Sequence, residues 1–270
     1  MTRSSISILN PMLNSAWLAA IPYETRNLKV ESFSVTDEFL LQPDLPTLQL
    51  CIDIKESEFG NIFIQAKAKK DMMESALILQ KCGFYFVEVT VAPRSNLDKN
   101  LVLESFIRDQ SSFIPRRYSQ HNLAIRIVDN DDINTRFSIE KIASESFTDD
   151  RFHIDPNCLN SLADIRYVNW VGDLYTNKNV VFYTLELSGE NIAFMCRNDD
   201  HLILAGFDVN YRNSGLGDYL WLSVMQDMLD KKITQAHTSI SLNNTAVLNL
   251  YARLGYKFKD TSMNYHYWSS

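Results

Sequence analysis

Apolar and polar residues alternate in NLKVESFSV (27–35) and in IFIQAKA (62–68), the two-residue period of a half-buried strand. The run MMESALILQKC (72–82) keeps a helical period instead, with Asp71 placed to cap it and Gly83 to stop it. FYFVEVTVAP then reads as a strand that Pro93 ends, and residues 39–60 have no secure assignment from their pattern. The later half is more regular. LAIRIV (123–128) is a predicted strand, Asp131 or Asp132 opens the helix INTRFSIEKIASESF, and SLADIRYVNWVGDLY is a second helix. VVFYTLEL, ENIAFMC and HLILAGFDV are three consecutive predicted strands, the first two joined as a hairpin by Ser188–Gly189. Gly215 opens the helix LGDYLWLSVMQDMLDK, HTSISL is a strand, and TAVLNLYARL is a helix closed by Gly255. YKFKDTSMNYHYW is one bent strand or two short ones. The order from residue 123 is β, α, α, β, β, β, α, β, α, β.

Punctuation divides the chain. All seven prolines lie at or before Pro156, whereas five of the eight glycines follow position 188. The polar, Pro115-containing segment 112–122 sits between patterned regions and reads as a linker. The expected organisation is a smaller N-terminal α/β domain, residues 1–120, and a C-terminal domain, residues 121–270. LILQKCGFYFVEVTV and LNLYARLGYKFKDTSM share one pattern, an apolar helix, a glycine stop, an aromatic and a strand. Two readings stand: any helix–glycine–strand junction has this look, or half of the fold is duplicated.

Composition narrows the chemistry. The 270 residues are 46% hydrophobic and 22% charged, the balance of a globular protein rather than a disordered one. A net charge of −7 argues against nucleic acid as the main partner. No run is long and apolar enough for a membrane helix, and the apolar start is broken by Asn10, Pro11 and Asn14, so neither membrane nor export is expected. The four cysteines form no CxxC pair and the five histidines no HExxH, so no metal is expected and a reduced, cytoplasmic location fits.

The sharpest motif is FDVNYRNSGLGDYLW, a strand, then Arg212-Asn213-Ser214-Gly215-Leu216-Gly217, then a helix. The unpaired N–H groups and dipole of a helix N-terminus suit a pyrophosphate, and glycines let it approach. Arg212 is a candidate counter-charge. A strand-to-helix turn also needs small residues for its own sake. There is no GxxxxGK[ST] and no early GxGxxG, which sets aside a nucleotide-hydrolysing loop and a dinucleotide fold. Some 30 residues on, NTAVLNLYARLGY puts Asn244 at a helix start and Tyr251 two turns in. Core packing with Leu248 and Leu254 would also account for Tyr251.

Taken together, RxxGxG followed at this distance by N-T-A-x-L-x-x-Y-x-x-x-G-[FY] resembles the GNAT acetyltransferases over residues 120–270. The usual V-x-P-x-Y-R is shortened here to Val209-Asn210-Tyr211-Arg212. A narrower likeness, carried by ESFTDDRFHIDPNCLNSLADIRYVNWV and IQAKAKKDMMESALILQKCGFYFVEV, is to bacterial dTDP-fucosamine acetyltransferases. The segment WLAAIPYETRNLKV matches that group only loosely.

The resemblance implies an α/β fold with a mixed, mostly antiparallel central sheet flanked by helices. It implies acetyl-CoA as co-substrate and direct attack by an amine. Phe207, Val209, Arg212, Asn213, Ser214, Gly215, Leu216, Gly217 and Asn244 are the implied acetyl-CoA contacts. Tyr251 is the implied general acid, and Asp208 or His153 the base. Arg151, His153, Tyr167 and Trp170 are candidates to hold a nucleotide-linked amino sugar, beside an N-terminal domain that contributes to the acceptor site. A GNAT acting on a protein or peptide amine, a non-catalytic acyl-CoA sensor, and an N-terminal domain that serves for homodimerisation are the rival readings.

Overall fold

The computed structural model describes residues 17–129, 131–148 and 150–269, so the N-terminal start read above lies outside the described residues. In chain order the elements are β1 (Leu18–Ala20), α1 (Pro22–Leu28), β2 (Glu31–Val35), α2 (Asp37–Leu41), α3 (Leu45–Phe59), β3 (Ile62–Lys69), α4 (Met73–Lys81) and β4 (Tyr85–Asn96). There follow α5 (Leu101–Arg108), β5 (Leu123–Ile127), α6 (Ile133–Ser146), α7 (Asn160–Thr176), β6 (Val180–Leu187), β7 (Glu190–Asn198) and β8 (His201–Phe207). The chain ends with α8 (Gly217–Asp230), β9 (Gln235–His237), β10 (Ile240–Ser241), α9 (Thr245–Arg253) and β11 (Lys257–Trp268). No described helix is long and apolar enough to cross a membrane.

Two compact units share these elements. Among the described residues, one holds 17–90, 154–159 and 260–269; the other holds those of 91–153 and 160–259. The division does not fall at 120. Segment 112–122, expected as a linker, lies inside the second unit as 3-10 turns at Gln110–Phe113 and Arg116–Tyr118.

In the first unit β1 pairs antiparallel with β2, β2 parallel with β3, and β3 antiparallel with β11 from Lys69↔Ser262 to Phe63↔Trp268. Phe39, Leu48, Ile52, Ile64 and Leu79 form its core. The 154–159 segment is tied in by one fully buried carboxylate. Asp155 accepts from Tyr85 Oη at 2.6 Å, His266 Nδ1 at 2.6 Å and Trp268 Nε1 at 2.9 Å. Several local expectations change here. Asn27 and Leu28 end α1 rather than begin a strand, because Pro22 starts a helix and Lys29 stops it with φ 62°. Met72, not Asp71, stands at the start of α4. Residues 45–59 are a helix, capped by Asp44 through Thr47 N and stopped at Gly60. β4 runs through Pro93, whose carbonyl still accepts from Thr238 N.

The second unit orders its strands β4-β9-β8-β7-β6-β5. The β6–β7 hairpin turns at Ser188 (φ 53°) and Gly189 (φ 90°), both left-handed as a two-residue turn requires. Successive strand residues face opposite ways. Phe182, Phe194 and Cys196 pack with Ile139 and Val171 of α6 and α7, while Tyr183, Ala193 and Met195 pack with Leu220 and Val224 of α8. HTSISL is not one strand: β9 and β10 are separated at Thr238–Ser239.

The units repeat one another. α4 and α9 stand 172 positions apart at both ends, as do β4 and β11 and the starts of α3 and α8. The helix stops agree in detail. Gly83 and Gly255 take φ 88° and 77°, and Phe84 N→Leu79 O and Tyr256 N→Tyr251 O are both 3.0 Å. The echo between the two segments is thus a duplicated half-fold.

Asn100 is the polar key of the second unit. It is buried, donates to Leu254 O at 2.8 Å and Ser95 Oγ at 2.9 Å, and accepts from Val102 N and Leu103 N. Asn100→Ala removes a helix cap and orphans a buried carbonyl, so it should destabilise by about 2–3 kcal/mol. Urea unfolding checks this; an unchanged midpoint would contradict it.

Candidate functional site

The site begins where the sheet of the second unit comes apart. β8 and β9 are parallel neighbours that pair at His201↔His237. From there β8 stays on β7 as far as Phe207↔Ala193, while β9 stays on β4 through Arg94↔His237 and Thr238 N→Pro93 O. Between them lies a cavity of about 210 Å³, walled by Leu202–Ala205 on one side and Thr238–Ser241 on the other. Strand backbone that has lost its neighbour presents unpaired N–H and C=O groups to whatever fills the gap.

α9 closes one end. Asn244 Oδ1 accepts from Val247 N at 3.1 Å, which fixes the start of the helix, and Asn244, Val247 and Tyr251 all line the cavity. Tyr251 is 3% exposed. Burial pushes its phenol up to about 12, against the opposing pull of Trp221 and Thr238. It is therefore a protonated donor at neutral pH. Trp221 of α8 also lines the cavity and meets Tyr251 edge-on, ring centroids 6.0 Å apart.

The glycine loop stands at the start of α8. Asn213 (φ 56°) and Gly215 (φ 82°) are left-handed, and a Cβ on Gly215 would come within 3.1 Å of Pro115. Gly217 differs: a Cβ there meets only Leu250, at 3.5 Å. That is ordinary contact, so the protein's own packing does not demand glycine at 217. Arg212 turns away and bonds Glu145 O. The guanidinium beside the loop is that of Arg117, which donates to Ser214 O at 2.5 Å and Asn213 O at 3.3 Å. Leu216 is fully buried and its N–H donates to Ser214 Oγ, and Val209 is half exposed in the 3-10 turn Val209–Tyr211. Phe207 O accepts from Ser146 Oγ. Asp208 caps the same turn through Asn210 N and Nδ2.

The opposite wall comes from the end of α6 and from α7. Phe147 stacks on Tyr167, centroids 3.9 Å apart, and Asp150, Tyr167 and Trp170 line the cavity. Asp150 accepts from Phe152 N at 2.9 Å and bonds His153 Nδ1, while His153 Nε2 meets Asp164 at 3.0 Å. Burial favours neutral His153, but the two carboxylates outweigh it and raise its affinity for a proton. The imidazolium in turn holds Asp150 below the usual carboxylate range despite burial. Both ring nitrogens of His153 are engaged by carboxylates, so neither is free to meet a substrate. Arg151 lies over the Phe152 ring at 5.0 Å, and Arg166 over the same ring at 4.5 Å.

Of the expected residues, the structure gathers Asn244, Tyr251, Tyr167 and Trp170 around the cavity. Phe207, Asp208, Val209, Arg212, Asn213, Ser214, Gly215, Leu216, Gly217, Arg151 and His153 stand outside its lining. Sequence reading missed Asp150, Trp221 and Thr238, and also Arg117, which lay within the supposed linker. The first unit's counterpart differs throughout. Pro43, Asp44 and Leu45 stand 172 positions before Gly215, Leu216 and Gly217, and Met72 and Leu79 before Asn244 and Tyr251. Asp44 puts its own carboxylate on the N-terminus of α3.

No protein-family model matches the chain. A spore coat polysaccharide biosynthesis protein, SpsD of Bacillus subtilis (strain 168), is 24% identical over 138 residues. That match spans 48% of this chain and 47% of SpsD, about half of each. A GCN5-related N-acetyltransferase from Sphaerobacter thermophilus superposes with a TM-score of 0.58 at 10% identity, covering 90% of this chain and 74% of that one. A tandem GNAT protein from the clavulanic acid biosynthesis pathway gives 0.57 at 11% identity, covering 88% and 75%. The fold is that of the GCN5-related N-acetyltransferases, a mixed sheet flanked by helices.

The raised affinity of His153 for its proton sets a pH dependence. Its stabilising contribution is complete below about pH 6.5, the unfolded value, and is lost as pH rises through the higher folded value. His153→Gln should flatten this decline. Urea midpoints of both proteins from about pH 5.5 to 8.5 check it, and parallel curves would contradict it.

Proposed function

We propose that the chain is an N-acetyltransferase that moves an acetyl group from acetyl-CoA to the amine of a nucleotide-linked sugar. The observation that carries this reading is the protonated, buried Tyr251 facing a cavity between two parted strands, on a helix whose Leu250 lies against Gly217 of the glycine loop. The N–H groups of Asn213, Gly215 and Gly217 at the start of α8 would hold the pyrophosphate, those of Ser214 and Leu216 being taken by Tyr211 O and Ser214 Oγ, with Arg117 supplying the positive charge that Arg212 directs elsewhere. The freed edge of β8 would hold the pantetheine, and a backbone N–H of that edge the carbonyl oxygen as it gains charge.

Asp150 accepts the proton released by the attacking amine, directly or through a water. It is ionised, lines the cavity and is held by His153. Tyr251 donates its proton to the sulfur as the C–S bond breaks, so that a thiol rather than a thiolate leaves. Tyr167 and Trp170 offer aromatic faces to a sugar ring. The likeness to a polysaccharide biosynthesis protein and the sequence resemblance to dTDP-fucosamine acetyltransferases support an amino sugar as acceptor. The first unit has Asp44 and Leu79 in place of the loop and the acid, so one acetyl-CoA per chain is expected.

Tyr251→Phe keeps the ring and deletes the donor. Turnover should fall by about 10² or more while acetyl-CoA affinity barely changes. Near-normal single-turnover transfer in the folded variant would overturn the acid role. Gly217→Val adds a side chain at the start of α8 where a Cβ makes only ordinary contact with Leu250, and should weaken CoA binding in calorimetry without unfolding the chain; unchanged affinity would remove the loop from the site. A panel of nucleotide-linked amino sugars, scored by acetyl-CoA consumption, tests the acceptor, and turnover of peptide amines alone would favour the protein-directed reading.

A further inference from the structure

Trp221 is the part of this cavity that the proposed reaction does not yet use. It is 5% exposed, lines the cavity, and sets its ring edge-on to Tyr251 at 82°. Its Nε1 is shut off from solvent and has no hydrogen-bond partner among the described residues. A buried indole N–H ordinarily finds an acceptor. Here the nearby oxygen is the Tyr251 phenol: the indole N–H already eases its ionisation without meeting the geometry of a full hydrogen bond.

We infer that Trp221 is a positioning residue, whose N–H closes on the Tyr251 oxygen when Tyr251 has given up its proton. This rests on the reading of Tyr251 as the acid. When the C–S bond breaks, the phenol O–H bond breaks with it and the proton goes to sulfur, which leaves a buried phenolate. Burial makes such a charge costly, and a charge-assisted hydrogen bond from a donor with no other partner offsets that cost. The Thr238 hydroxyl is a second donor, and Tyr256, whose ring lies 4.7 Å from that of Tyr251, is the titratable neighbour. The proton that Asp150 takes from the acylated amine passes back to the phenolate within the turnover, directly or through water, so protons balance and the phenolate is transient. An N–H committed elsewhere in the resting protein could not answer this charge; an uncommitted one can.

The test needs the ionisation of Tyr251 itself. 3,5-Difluorotyrosine at 251 brings the phenol into a range where the protein stays folded, and fluorine NMR follows it. Trp221→Phe, or benzothienylalanine at 221 should Phe fail to fold, removes the N–H and keeps the ring. The phenol should then ionise about one pH unit higher, and single-turnover transfer in the otherwise natural chain should slow by about three- to tenfold with acetyl-CoA affinity unchanged. Unchanged ionisation, with or without loss of activity, overturns the inference. Failure of the acid reading shows separately, as normal transfer by Tyr251→Phe, whereas the fluorine titration reports the indole–phenolate bond whatever the enzyme does.

Discussion

One constraint organises the second unit: β8 and β9 cannot both keep their outer neighbours and each other. β8 is committed to β7 through Phe207, and β9 to β4, so beyond His201↔His237 the sheet opens. An open sheet is costly unless its freed backbone finds partners, and a cavity sits where those partners would go. The elements that supply the chemistry are placed by this opening. α9 starts after the strand that turns away, which brings Tyr251 to the gap, and α8 starts after the strand that stays, which brings Trp221 and the glycine loop.

The same frame is built twice and furnished once. The helix stops, the lengths of α4 and α9 and of β4 and β11, and their spacing agree between the halves, which is what packing requires of the frame. The positions that differ are those with chemical consequence. Asp44 occupies its helix N-terminus with a negative charge, Leu45 stands where the second unit has Gly217, and Leu79 has no proton to give where Tyr251 has one. Duplication explains the long α/β region before the second unit without requiring a second reaction from it.

Much of this was legible because it is local. The hairpin at Ser188–Gly189, the glycine stops and the Asn244–Tyr251 spacing each lie within one element or one turn. Where periods compete, the sequence misleads: LQLCIDI alternates as well as it cycles, and α3 is settled by Asp44, Pro46 and Gly60 at its ends. Pro93 was read as a stop, yet a strand needs only its carbonyl there. Asp150, Trp221, Thr238 and Arg117 could not be read as a group. They come from four separate elements, and only the sheet brings the first three to one cavity.

The account turns on the gap between β8 and β9 as the seat of the thioester. A crystal structure with a non-reactive acetyl-CoA analogue, the sulfur bridged by a methylene to the acetyl group, tests this directly. The predicted result is one analogue per chain, its carbonyl against the freed edge of β8, its sulfur within hydrogen-bond reach of the Tyr251 hydroxyl, and its pyrophosphate at residues 213–217. An analogue bound away from the gap, or one also bound at the Asp44 end of α3, would contradict it.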